Sequence, residues 1–208
     1  MMSNLSPSRP SAPRRRADAV RSSAAILDAA RRVWSARPEA RLEEIAAAAG
    51  VTRQTVYAHY ASRELLLGAV SARARAEAIA ALDVAALDEG PPAAALVRLL
   101  RASWQTFARY PFLRPSTMTP VGVQGAHERH EPINERLERV IGRGQDTGAF
   151  DRRLSPTWLL AAMVGLVHAA HEEVAAGRMT VEDAAVALEH SILRVFSADG
   201  APAADAGG

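Results

Sequence analysis

Apolar residues recur with a helical period along most of the chain, and the shortest such stretch has the sharpest boundaries. Leu42, Ile45, Ala46 and Ala49 fall at i, i+3, i+4 and i+7, the stripe of a short amphipathic helix, and Gly50 follows where a left-handed C-terminal residue is wanted. Thr52 can cap the next helix, and Val51 in front of it can pack on Val56 as a hydrophobic staple. Two helices therefore meet across a tight turn. Ahead of them, Val20, Ala24, Leu27, Ala30 and Trp34 share one face of a helix expected over 18–36. Behind them a long helix opens after the cap Ser62 and runs to about residue 87, with Leu65, Leu66, Ala69 and Val70 on its buried side.

The remaining pattern is also helical. Gly90-Pro91-Pro92 ends one helix and starts the next, on which Leu96, Leu100, Ser103, Phe107 and Tyr110 share a face beside Leu99 and Trp104. Prolines and glycines then interrupt 111–125, which predicts a broken connector with at most a short helical piece. Glu131-Pro132 starts a helix with the stripe Ile133, Leu137, Val140 and Ile141, ending near Thr147 before Gly148. Ser155-Pro156 is a cap followed by proline at the first helical position, and Thr180 with Asp183 makes an approximate capping box for a last helix to about Ser197. Small residues on these two final helices (Ala161, Ala162, Gly165 and Ala169; Ala184, Ala185 and Ala187) allow close approach, as in a bundle. The expected class is all-α, with about nine helices.

Two helices joined in this way form a helix-turn-helix, whose second helix lies in a DNA major groove while the first braces it. With Val56 and Tyr60 pointing inward, Gln54 and Ala58 face outward and Thr55 and Tyr57 lie on the flanks. Gln54 can pair bidentately with an adenine edge, Arg53 can reach guanine or phosphate, and Tyr57 offers a hydroxyl and a ring. Arg63 opposes the dipole of the helix it opens, which a nearby phosphate would explain. Periodicity and caps alone describe an ordinary helical hairpin equally well.

Charge changes that balance. The formal net charge of +2 hides an asymmetry: residues 1–63 hold 11 Arg against 5 acidic residues, and the remainder holds 14 against 18. The basic end is the end with the motif, the footprint of one part that meets polyanionic DNA and another that does not. All 25 basic residues are arginine, which removes Schiff-base and P-loop lysine chemistry, and the absence of cysteine removes disulfides, thiol nucleophiles and cysteine zinc sites. The N-terminus shows no apolar signal region, and the run from Trp158 to Val167 is too short to span a bilayer. A soluble, cytoplasmic protein without a membrane partner is expected.

The motif Ile45-Ala46, Ala49-Gly50-Val51-Thr52, Thr55, Tyr57, His59-Tyr60, Arg63-Glu64 and Leu66 resembles the DNA-binding domain of the TetR (tetracycline repressor) family of bacterial transcription regulators, over roughly the first third of the chain. The resemblance implies that Arg53, Gln54, Thr55, Tyr57 and His59 belong to the recognition helix, and that Arg63 stands where the family usually has a phosphate-binding lysine. Thr52 completes the DNA-facing set as its cap. Two positions depart from the pattern: Arg41 replaces the usual Ser or Thr before the second helix, and Arg37-Pro38 replaces a Gly-aromatic turn. Arg41 has no side-chain oxygen with which to cap, although it could contact phosphate itself. The resemblance also implies that the last two helices pair with their copies in a second subunit.

The C-terminal part carries weaker signals. Trp104, Phe107, Phe112, Met118, Trp158 and Met163 could line a mostly apolar cavity for a small-molecule effector, with Arg101 or His168 as a polar contact; each is equally a core residue. His168, His171 and Glu172 lie close on one helix, and His127, His130 and Glu131 cluster on another segment, so a metal or a general base could be built there. No HExxH, phosphate loop or nucleophile elbow supports that, and neither a cofactor nor catalytic residues are assigned.

The expected organisation is a basic arm (1–16), whose Arg9, Arg14, Arg15 and Arg16 could touch phosphate or the minor groove, and a helix-turn-helix domain (17–63). A helical effector and dimerisation domain (64–198, with 64–87 as linker) and a low-complexity tail (199–208) follow. The function expected is a homodimeric regulator, a repressor that leaves a palindromic operator when it binds its effector. The alternatives are a ligand-independent DNA-organising protein of the same fold and a metal-dependent all-α enzyme using His168 and His171.

Overall fold

A computed structural model describes residues 12–113 and 123–198, apart from the side chains of 12–15, 107 and 123–132. Among the described residues the chain forms eight helices and no strand: α1 (Ala12–Ala36), α2 (Leu42–Ala49), α3 (Arg53–His59), α4 (Arg63–Val84), α5 (Pro92–Arg109), α6 (Val123–Asp146), α7 (Pro156–Ala175) and α8 (Val181–Phe196). The short helical piece expected in the connector falls mostly outside the described residues. The helix expected from Glu131 begins at Val123 instead, because a helix interior tolerates Pro132 at the cost of one backbone hydrogen bond.

The chain divides into two compact units, Met1–Arg73 and Ala74–Gly208, so the division falls inside α4 and not at residue 63. In the first unit, α1 packs on α2 and α3, and the buried residues are Ile26, Ala29, Ala30 and Trp34 of α1, Leu42, Ile45 and Ala46 of α2, Val56 of α3 and Leu66 and Val70 of α4. The Trp34 indole N–H, fully buried, donates to the Ala40 carbonyl at 3.1 Å and so fastens the loop before α2. The buried face of α1 differs from the one expected at its N-terminal end. Val20 is 70% exposed and Ala24 is exposed, while Ser23 turns inward and hydrogen-bonds the Tyr60 hydroxyl at 2.8 Å. A hydroxyl brought inside by a specific partner is invisible to a count of apolar residues. Leu65 is likewise exposed, and Leu66 takes the core position.

In the second unit, α5 to α8 and the end of α4 enclose one core centred on Leu96, Leu99, Leu137, Ile141, Leu159, Ile192 and Phe196. Phe150, on the turn after α6, packs edge-on against Phe196 with ring centroids 5.4 Å apart. Its ring lies so close to Gly144 that a side chain there would overlap it. Ser155 caps α7 by accepting from Trp158 N–H at 3.2 Å, and Thr180 caps α8 by accepting from Asp183 N–H at 3.0 Å. Asp183 does not return to the Thr180 backbone as a full capping box would; it accepts from the Thr180 hydroxyl at 2.7 Å. No helix of the described residues is long and apolar enough to cross a membrane.

Candidate nucleic-acid interface

The turn between α2 and α3 is built by local chemistry. Gly50 takes the left-handed conformation (φ 68°) that a Cβ would disfavour, and its N–H closes onto the last carbonyls of α2. Two residues on, Thr52 is extended and its Oγ1 accepts from Thr55 N–H at 3.1 Å, which satisfies one of the orphan donors of α3. The Thr52 and Thr55 hydroxyls also bond each other at 2.8 Å, so both are engaged in shaping the helix start. Val56 is fully buried and holds α3 against the unit below it. Gln54, Tyr57 and Ala58 are left exposed.

Arg53 is exposed but not loose. Its Nε sits 3.1 Å from the Glu43 carboxylate on α2, and its guanidinium lies 5.2 Å from the centre of the Tyr57 ring. Sequence reasoning missed Glu43, since a contact across the turn from α2 to α3 has no periodic signature. His59 ends α3, half-buried, with its ring 6.1 Å from that of Tyr60.

Arg63 is placed differently from a free phosphate ligand. Its guanidinium lies 5.0 Å from the centre of the Trp34 ring and donates to the Pro38 carbonyl, so part of its hydrogen-bonding capacity already fastens the loop before α2. Arg41 is exposed and, as its chemistry requires, gives α2 no side-chain cap. Glu44 compensates by accepting from Arg41 N–H at 3.0 Å and pairing with Arg37. The Arg41 backbone hydrogen bond is the main cause that holds the Glu44 carboxyl below its ordinary range; desolvation opposes it and the Arg37 side chain adds to it.

Of the eight residues expected to line an effector cavity, the six that are described are not gathered around one. Trp158 is 60% exposed and His168 is exposed, whereas Met163 is buried in the core with Leu159 and Leu160. The inward stripe of α7 is therefore 159, 160 and 163, and Trp158 lies off it by one helical step. Arg101 is tied to Glu189 through two nitrogens at 3.1 to 3.2 Å. Trp104 is half-buried, donates from Nε1 to the Val181 carbonyl at 3.2 Å and meets His171 edge-on at 5.0 Å. Phe112 is buried beside Tyr110. The Phe107 side chain and Met118 lie outside what the structure describes. A concavity of about 230 Å³ opens instead at the end of α4, lined by Leu82, Asp83, Arg136 and Arg139 among others, and an apolar groove of about 450 Å³ runs along Val20, Ala24 and Leu27. None of the six described candidates lines either.

Among the described residues no group of His, Asp and Glu side chains is arranged to hold a metal ion. The side chains of His127, His130 and Glu131 are outside that set. His171 lies beside Trp104, and burial, with the neighbouring His168, lowers its pKa below the ordinary histidine value.

Residues 26–70, which contain the whole capped turn, match the sequence profile of the family described as bacterial regulatory proteins, tetR family. Over this segment the chain is similar to the TetR family. A curated relative, the HTH-type transcriptional repressor LfrR of Mycolicibacterium smegmatis, is 44% identical over 78 residues, 38% of this chain and 41% of its own length. The chain thus spans less than half of that relative in sequence. In structure the likeness is longer. LfrR of Mycobacterium smegmatis in complex with proflavine superposes with a TM-score of 0.61 at 29% identity over 85% of this chain and 97% of that one. The TetR-family regulator PfmR of Thermus thermophilus gives a TM-score of 0.64 at 25% identity over 81% and 97%. The fatty acid degradation regulator FadR of Bacillus halodurans, at 15% identity over 83% and 94%, shares the fold with a TM-score of 0.68. The TetR family and these relatives are transcriptional regulators, not enzymes.

Proposed function

We propose that this chain is a cytoplasmic, homodimeric transcriptional regulator, a repressor that binds a palindromic operator through α3 and releases it when a small molecule binds. The observation that carries the reading is the Thr52-capped helix, with Val56 anchoring it inside and Gln54, Tyr57 and Ala58 exposed on its outer side, within the segment that matches the TetR family. Two copies of α3 related by a twofold axis would enter successive major grooves about 34 to 36 Å apart. Gln54, Arg53 and Tyr57 then read base edges, while Arg41, His59 and the outer edge of Arg63 meet phosphate. Thr52 and Thr55 hold the helix start and add contacts there.

The homodimer is supported by large apolar side chains of α7 and α8 that stand exposed: Trp158, Val164, Val181 and Val186. Small residues nearby on both helices allow a partner's helices to approach closely. The effector is proposed to bind among α5 to α8, near the half-buried Trp104 and the buried apolar side chains of Phe112 and Met163. LfrR in complex with proflavine supports an apolar or aromatic compound. Effector binding can switch the protein only by favouring one of two conformers, the favoured one carrying its DNA-reading units out of the operator spacing.

Gel shifts on the promoter region of the chain's own gene test this reading. Gln54→Ala and Tyr57→Ala should each weaken specific binding by about 1 to 3 kcal/mol while leaving the protein folded. Folded variants that bind as tightly as the parent would refute the assignment of α3.

A further inference from the structure

We infer that Glu43 is a specificity-determining positioning residue, which holds Arg53 as a preformed reader of a guanine edge in each operator half-site. The inference rests on the DNA-reading role proposed for α3 and names one base of the sequence that α3 recognises.

Three observations meet at Arg53. Its Nε is 3.1 Å from Glu43 Oε1, its guanidinium plane is supported by the Tyr57 ring at 5.2 Å, and its side chain is nevertheless 64% exposed. Glu43 lies in the first turn of α2 and Tyr57 one helical turn beyond Arg53 on α3, so the guanidinium is held by groups from both helices of the motif. Among the described residues the guanidinium makes this ion pair and no hydrogen bond. A guanidinium held by an ion pair and on one face, with its N–H donors still open, is suited to the paired O6 and N7 acceptors of guanine.

As an acidic residue in the first turn of α2, Glu43 interacts favourably with the helix dipole, but that effect needs no arginine partner. An ion pair this exposed contributes little to folding, and a carboxylate near a phosphate backbone opposes binding. Its effect is to restrict the rotamers of a long side chain before DNA arrives, which lowers the ordering cost of the contact. A phosphate ligand gains little from such restraint, because phosphate oxygens offer many approach directions, whereas a base edge offers one.

Selection of duplexes from a randomised pool by the full-length protein tests this. The parent should enrich guanine at one position of each half-site, and Arg53→Ala should lose that preference while the other positions persist. Glu43→Ala should reduce the guanine preference about tenfold, within the range of a single bidentate contact, without lowering affinity for random duplex. Glu43→Gln, which keeps the side chain's size and removes its charge, should fall between the two. An unchanged guanine preference in folded Glu43→Ala would overturn the inference and leave the DNA-binding reading intact. So would an Arg53→Ala variant weakened equally on every sequence, since Arg53 would then be a phosphate ligand. A parent protein that enriches no sequence at all would sink the DNA-binding reading, and this inference with it.

Discussion

A methyl group on Gly144 would occupy the same space as the Phe150 ring, which packs over the end of α6 and against Phe196. Gly144→Ala should therefore destabilise the protein by about 1 to 3 kcal/mol through overpacking, read as a lower urea midpoint with an unchanged slope. Nothing in the linear pattern marks Gly144, because its constraint comes from a ring that the fold returns to it. His171 carries a second expectation. Its folded-state pKa lies below the ordinary value of 6.5, so the native state binds fewer protons than the unfolded chain between the two values. The associated stability is complete above that ordinary value and is lost as pH falls through the lowered one. His171→Gln should flatten this acid-side decline in a series of denaturation curves. Gly50, Thr52, Ser62 and Ser155 are by contrast legible residue by residue, since a cap is decided within a few residues of itself.

At the level of elements, the type of every described helix is legible in the sequence and some faces and ends are not. The apolar stripe of α1 runs through Val20 and Ala24 on paper, but the Ser23 to Tyr60 hydrogen bond rotates that end and leaves Val20 exposed. The pattern carries α4 to residue 87, and the helix stops at Val84. Its C-terminal side is finished by two arginines from other helices. Arg98 of α5 donates to the carbonyls of Ala85, Ala86 and Glu89 at 2.7 to 2.8 Å, and Arg143 of α6 donates to those of Leu87 and Asp88. These bonds satisfy carbonyls of the turn that follows α4, in which Ala86 takes the left-handed region at φ 49°. Ala86→Gly should relieve that strain and raise stability by about 0.5 to 1 kcal/mol, net of the glycine's greater unfolded-state entropy. A variant less stable than the parent in thermal unfolding would show that the bend is not strained.

On the scale of the whole molecule, composition separates a basic N-terminal part from an acidic remainder, and the contact pattern separates two compact units at nearly the same place. The uncovered residues Trp158, Val164 and Val186 belong to this scale, because the proposed second copy would bury them. Val186→Glu should place a charge in the proposed interface without disturbing the monomer core. Sedimentation should then show monomer at concentrations where the parent is dimeric. A variant as dimeric as the parent would move the interface elsewhere. A dimer held on its operator mainly by arginine should also lose affinity by about 0.9 log unit per neutralised phosphate for each decade of added salt.

The amino-acid order alone determined the all-α class, the capped turn from Gly50 to Thr52, the buried stripes of α2 and α6 and the basic bias of the first unit, because each depends on helical period, on a cap within a few residues, or on summed charge. Tertiary structure decided what distant residues do to one another. It placed Glu43 beside Arg53, set Arg63 over Trp34, turned Trp158 outward while Met163 went into the core, and fastened the end of α4 to α5 and α6. Such pairings depend on how helices rotate and cross when their side chains pack, and a one-dimensional period carries no record of that geometry.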